Sequence, residues 1–425
     1  MDGRAAEARL LEYIDGHRQA LYDELAALIR FNTENFVTHG NEAGCANYIR
    51  DEYADLGLET DLYFPDDWLQ GHPDYLPGRG TDARPNVGGV LRGSRGERRV
   101  MLAGHIDTMP VGDPTLWTVD PLDGTVIDGK LYGRGCGDDK AGIACGTFLV
   151  RALKALGIRL QQDVVLSAYC DEEYGGGNGS LASCLHYPCD MYVNLDGGNF
   201  DREIWTCGIG GQVIHVNLRA CQPQDSVALV ADGVNAVRRE VEAFGRRRAA
   251  ELQAHPYFRD SDMQRSALRQ VGIRCGSEAS NLELAKYEFV FYTVSPREVI
   301  QRELDEMADR LRAELDRMDI EFGGFEPASR YFDYIRADED DPDIRLMLDC
   351  AADACGHPVR PAGGCLSDHF IYYLHGSKRS VNMGVFRDFK LPGGAHQTDE
   401  YIECEDLVKL VKTLGLFLIR WGGVE

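Results

Sequence analysis

No two cysteines in this 425-residue chain are spaced Cys-x-x-Cys; the 13 that occur are an odd number, scattered without pattern, which excludes a zinc knuckle and a regular disulfide framework. Reduced, buried thiols are the expectation. Positive charge is also short, with 45 Lys and Arg against 69 Asp and Glu and a formal net charge of −24. So acidic a surface repels phosphate backbones and disfavours a nucleic-acid partner. Long apolar runs are missing as well. The first 30 residues scatter charges from Asp2 to Arg30 among apolar residues and hold no secretory apolar region. The apolar stretch Leu407–Trp421 is broken by Lys409, Lys412 and Arg420, and is too short and charged to span a bilayer. A cytoplasmic protein with no membrane partner is expected. There is no internal repeat, and the length predicts two or three domains.

What is present is an alternation of elements. Leu10, Ile14, Leu21, Leu25, Leu28 and Ile29 fall near helical spacing and predict an amphipathic opening helix. The short apolar runs Val100–Ala103, Val164–Ala168, Met191–Leu195 and Val381–Val385 predict buried strands, separated by helical patterns such as Ile143–Leu156. This is the pattern of an α/β domain with a partly parallel sheet. Residues 65–86, with four prolines, read as a long surface loop. The middle of the chain differs. Gly208–Ala220 and Tyr287–Val294 read as strands around a polar helical stretch, Gly233–Gln253. Ser295, Pro296 and Glu298 form a predicted capping box, opening a helix with an apolar face that Gly323 and Gly324 end. We take roughly 210–326 as an inserted α+β domain and 1–209 with 327–425 as the domain it interrupts.

Each apolar run of the first domain ends in ionisable residues: Gly104-His105-Ile106-Asp107, then Asp171-Glu172-Glu173, then Asp196-Gly197-Gly198. Ligands of α/β sheets bind beyond the carboxyl ends of strands, so these groups converge on one cleft. The Gly-rich segment Leu131–Gly142 contains no Gly-Lys-Ser/Thr and is no phosphate loop; a loop of small residues that lets a carboxylate reach a metal fits it better. A second Gly-rich turn presents His396.

The set GHIDTMP, Trp117 with Asp120-Pro121, LYGRGCGDDKAG, DEEYGGG, NLDGG, GGCLSD and AHQTDEYI resembles the co-catalytic zinc aminoacylase and deacetylase family. That family includes acetylornithine deacetylase, succinyl-diaminopimelate desuccinylase and related carboxypeptidases and dipeptidases. The resemblance implies a zinc-peptidase-like catalytic domain, with a mostly parallel mixed sheet flanked by helices, and an inserted lid through which relatives form homodimers. It implies two divalent metal ions, most simply Zn²⁺ with Co²⁺ or Mn²⁺ as alternatives: His105 and Asp196 on one, Glu173 and His396 on the other, and Asp138 bridging. Asp107 would orient the His105 ring, and Glu172 would be the general base. Three carboxylates against two divalent ions leave a single positive charge, whereas without metal they repel. The family's bridging Asp is followed by a peptide bond that is typically cis, here Asp138–Asp139. Asp139 itself is expected to be solvated or paired with Lys140.

The sequence also departs from the family. Ala220–Ser226 stands where relatives carry a His that reaches across the dimer, and Thr293-Val294-Ser295 replaces an Asp-x-Arg. His215 reads as a strand-face residue. Asn281 is the candidate substitute for oxyanion or carboxylate binding, ahead of Gln222 and Gln224, and the resemblance implies that Asp368 lines the cleft from the turn Gly363–Asp368. Ser367-Asp368-His369 cannot form a catalytic relay, because adjacent residues lack its geometry. The implied substrate is a small N-acyl amino acid or similar amide, the alternative a dipeptide or carboxypeptidase substrate, and a metal-binding pseudoenzyme the remaining reading.

Overall fold

The four apolar runs become the parallel centre of one sheet in the computed structural model of the chain, which describes residues 2–223, 226–277 and 282–425. Arg99–His105 pairs parallel with Asp163–Tyr169 on one side and Met191–Asn194 on the other, and Ser380–Asn382 extends the parallel set beyond Met191–Asn194. Antiparallel strands flank it: Asn86–Leu91 beside Asp163–Tyr169, then Glu59–Tyr63, and Glu203–Gly208 beside Ser380–Asn382. Every residue of Asp163–Tyr169 is buried, which is why its sequence runs apolar without alternation.

The helices Gly3–Gly16, Arg18–Ile29, Lys140–Ala155 and Cys404–Gly422 share a single core with these strands. Gly104 permits a close approach, since a Cβ there would meet the Asp139 carboxylate at 2.9 Å and Ile143 at 3.1 Å. The opening helix is two helices rather than one. His17 leaves helical geometry at φ −125°, where its Nδ1 donates to the Tyr13 carbonyl at 2.8 Å and its ring stacks on Tyr13. Residues 65–86 are more than a surface loop: they contain the helix Pro65–Leu69 and bury Arg79, Thr81 and Arg84. Among the described residues no helix is long and apolar enough to cross a membrane.

Two compact units are resolved, Met1–Thr206 with Arg336–Glu425, and Cys207–Ile335. The second holds an antiparallel sheet in the order Leu268–Ser277, Glu283–Thr293, Gly210–Ala220, Ile320–Pro327. The helices Ala228–Ala254 and Arg297–Asp316 pack on it. The capping box does not form: Pro296 occupies the cap position, and the Ser295 N–H instead donates to Thr293 Oγ1 at 3.0 Å. Gly323 and Gly324 do not end this helix, which stops at Asp316; they form a bulge in Ile320–Pro327. The helix's apolar face, Ile300, Leu304, Met307, Leu311 and Leu315, is covered by the unit's own sheet.

Candidate metal centre

Strand ends and two loops deliver the ionisable side chains. His105 is the last residue of Arg99–His105, the Asp171-Glu172-Glu173 turn follows Asp163–Tyr169, and Asp196 follows Met191–Asn194. Asp138 arrives on the Gly-rich loop before Lys140–Ala155, and His396 on the loop after Ser380–Asn382. Gly135 lets the first loop turn tightly: its φ is +77°, and a Cβ there would meet Thr108 at 2.5 Å. The Asp138–Asp139 peptide is cis.

These side chains form two groups that share one carboxylate. His105, Asp138 and Asp196 have donor atoms within 4.8 Å of one another, and so do Asp138, Glu173 and His396. Asp138 Oδ1 lies 2.9 Å from His105 Nε2, and its Oδ2 lies 3.1 Å from His396 Nε2. Glu173 Oε2 is 3.1 Å from the same His396 nitrogen, while its Oε1 accepts the Met109 N–H at 2.9 Å. Glu172, one residue earlier, belongs to neither group.

Asp107 does something the sequence reading did not assign it. Its main-chain carbonyl, at 2.7 Å, orients His105 Nδ1, whereas its carboxylate is 3.7 Å from that nitrogen. The carboxylate instead grips the turn that carries Glu172 and Glu173. Oδ1 accepts the Glu172 N–H at 3.2 Å, and Oδ2 accepts the Glu173 N–H at 3.0 Å and the Asn35 amide at 2.7 Å. Arg79 and Arg84 fasten the turn from the other side, donating to Asp171 Oδ1 at 2.8 and 3.0 Å, with Arg79 also reaching the Glu173 carbonyl at 2.9 Å. Asp171 is thereby held at φ +66°, a left-handed conformation costly for a non-glycine residue. Glu42 accepts two N–H groups of Arg84, so the buried guanidinium is paired on both sides.

Asp139 is neither solvated nor paired with Lys140. It is fully buried, its Oδ2 accepts the His105 N–H at 3.3 Å, and Lys140 donates to the Phe31 carbonyl at 2.8 Å. Burial pushes its carboxyl well above the usual range. Asp368 is buried and accepts the Ser180 hydroxyl at 2.6 Å. The His369 ring turns to Ser380 at 3.2 Å, so the Ser-Asp-His run forms no relay. Cys136, Cys170 and Cys365 have thiols raised by burial, as expected of inert thiols, whereas Cys221 and Cys275 are exposed. In the second unit His215 faces Glu288, 2.9 Å away on the neighbouring strand. Asn281 and Gln224 lie outside the described residues.

The electrostatics ask for a cation. Burial raises the Glu172 and Asp196 carboxyls well above the carboxylate range, reinforced for Glu172 by the charge of Asp196 and for Asp196 by that of Asp138. Burial opposes charging His396, yet Glu173 and Asp138 push it up to about 11. Burial disfavours the Asp138 carboxylate too, but the two imidazoles hold it below its usual range. Protons thus do here what divalent ions could do, and imidazole nitrogens with carboxylate oxygens, without thiolate, are a donor set that Zn²⁺, Co²⁺ or Mn²⁺ accepts.

Residues 101–420 match the family described as peptidase family M20/M25/M40. The chain belongs to this family. A 192-residue stretch is 29% identical to N-formyl-4-amino-5-aminomethyl-2-methylpyrimidine deformylase of Halalkalibacterium halodurans, covering 44% of this chain and 40% of that protein. A shorter one, 54 residues at 54% identity, matches succinyl-diaminopimelate desuccinylase of Rhodospirillum centenum over 12% of this chain and 14% of that protein. The chain therefore spans about two-fifths or less of the length of these curated relatives. Among solved structures the M20 fold extends end to end. The di-peptidase Dug1p of Saccharomyces cerevisiae has a TM-score of 0.71 at 14% identity, with 98% of both chains covered. Human carnosine dipeptidase 1 has 0.68 at 16%, with 98% of this chain and 99% of that one covered.

Proposed function

We propose that this M20 chain is a metal-dependent amidohydrolase that removes a small acyl group from an amine, with Glu172 as general base. One observation carries the reading: the two oxygens of the single carboxylate Asp138 face two imidazoles, His105 at 2.9 Å and His396 at 3.1 Å, one from each donor group. His105, Asp138 and Asp196 would hold one divalent cation, and Asp138, Glu173 and His396 the other. Such ions, when bound, polarise an amide carbonyl and lower the pKa of water. Glu172 is adjacent to a ligand without being one, so its carboxylate takes the proton of the attacking water and returns it to the leaving amine. Asp107 positions that base through the Glu172 N–H. Asp368 and Asn281 are proposed to meet the substrate.

A small N-acyl substrate is supported by the names of the deformylase and desuccinylase relatives, which describe removal of formyl and succinyl groups. Hydrolysis should be screened over N-formyl, N-acetyl and N-succinyl amino acids and over dipeptides, each with Zn²⁺, Co²⁺ or Mn²⁺. Turnover of N-acyl compounds above dipeptides is expected. Cleavage of dipeptides alone would replace the deacylase by a dipeptidase with the same site, and no cleavage at all would favour a pseudoenzyme.

Residues 1–209 and 327–425 are proposed as the catalytic part and 210–326 as a lid that forms a homodimer. Supporting this, the sheet edge Leu268–Ser277 pairs on one side only among the described residues and exposes Val271 by 60% and Ile273 by 41%. An open edge with apolar side chains invites a second strand. Light scattering should find a dimer at micromolar concentration; a monomer with its metal sites filled would refute this assignment.

A further inference from the structure

His396 is the exposed member of its donor group, 35% accessible at the side chain, on a turn where its φ is +64°. Such a conformation persists only where the surroundings enforce it. The enforcing contacts come from a buried ion pair, Arg134 with Glu400, only 3% and 2% exposed. Arg134 Nη1 donates to Glu400 Oε2 at 2.5 Å, and its Nη2 donates to the His396 carbonyl and the Pro110 carbonyl, each at 3.2 Å. Glu400 Oε1 accepts the Gly137 N–H at 3.3 Å, next to Asp138, and the Glu400 carbonyl accepts the Gly133 N–H at 3.0 Å. One ion pair thus joins the loop bearing Asp138, the segment after His105 and Asp107, and the turn bearing His396. The first group meets this pair only through the shared Asp138: His105 is fixed at a strand end, and Asp196 lies two residues past the end of Met191–Asn194.

We infer that Arg134 and Glu400 are positioning residues for the cation held by Asp138, Glu173 and His396, and that their pairing sets the affinity of this subsite separately from the subsite of His105, Asp138 and Asp196. The inference rests on the two-cation reading above. Positioning residues behind metal ligands commonly change affinity by about 10- to 100-fold.

The test is stepwise titration of Co²⁺ into the chelator-stripped full chain, followed by calorimetry and by visible absorption, for the native sequence, Arg134→Met, Arg134→Lys, Glu400→Gln and His396→Ala. Glu400→Gln keeps the side-chain oxygen for Gly137 and serves if Arg134→Met does not fold. The expected result is a weakening by about 10- to 100-fold, in Arg134→Met and Glu400→Gln, of whichever binding step His396→Ala weakens, with the other step changed by less than about threefold and Arg134→Lys intermediate. Two unchanged steps, or equal weakening of both in a folded variant, would overturn the inference. A native chain that binds fewer than two ions would remove the two-cation reading itself, and the inference with it.

Discussion

Glu172→Gln is expected to bind two divalent cations as tightly as the native chain and to lose about 10²- to 10⁴-fold in kcat. The amide has the shape of the carboxylate but cannot accept a proton from water or return one to the amine. Its position should persist, because Asp107 Oδ1 holds the main-chain N–H of residue 172 and not its side chain. Metal content should be unchanged, since Glu172 is in neither donor group. A fall in kcat with KM little altered is the signature of an interaction made in the transition state. Near-normal turnover would remove Glu172 from the chemistry, and loss of metal would make it a ligand instead.

Asp138→Ala should weaken both ions together, each by more than about 100-fold, and abolish turnover. The carboxylate faces one imidazole through each oxygen, so its loss takes one donor from both groups at once. Asp196→Ala and His396→Ala, each confined to one group, should weaken one ion more than the other. Metal analysis after buffer exchange, set beside the melting temperature of each variant, separates this from unfolding. Two ions still tightly bound in Asp138→Ala would show that the carboxylate is not shared.

The strands that carry the site were legible because burial on both faces writes an unbroken apolar run, and because chemistry placed at strand ends follows those runs directly, as at His105, Glu172, Glu173 and Asp196. The second layer was not legible. Arg79 and Arg84 sit in a Pro-rich stretch whose composition signals a loop, and only the folded chain shows them buried against Asp171. Arg134 and Glu400 lie 266 residues apart within motifs recognised for other reasons. Local rules also failed where neighbours outside their window intervened. Ser295 has the capping sequence, yet Glu251 accepts the Val294 N–H and the Thr293 hydroxyl, and this contact from the preceding helix accompanies a helix start at Arg297. Asp139 looked like an exposed charge because most are. It is buried instead, with its Oδ2 accepting the His105 N–H.

In the proposed site one carboxylate, Asp138, serves two cations in a single chain. Calorimetric titration of Zn²⁺ into the native, chelator-stripped protein tests it most directly. Two equivalents per chain are predicted, with proton release: burial opposes charging the two imidazoles, but Asp138 and Asp107 raise His105, and Glu173 and Asp138 raise His396, above the usual range. A single equivalent, or none, would contradict a two-cation site.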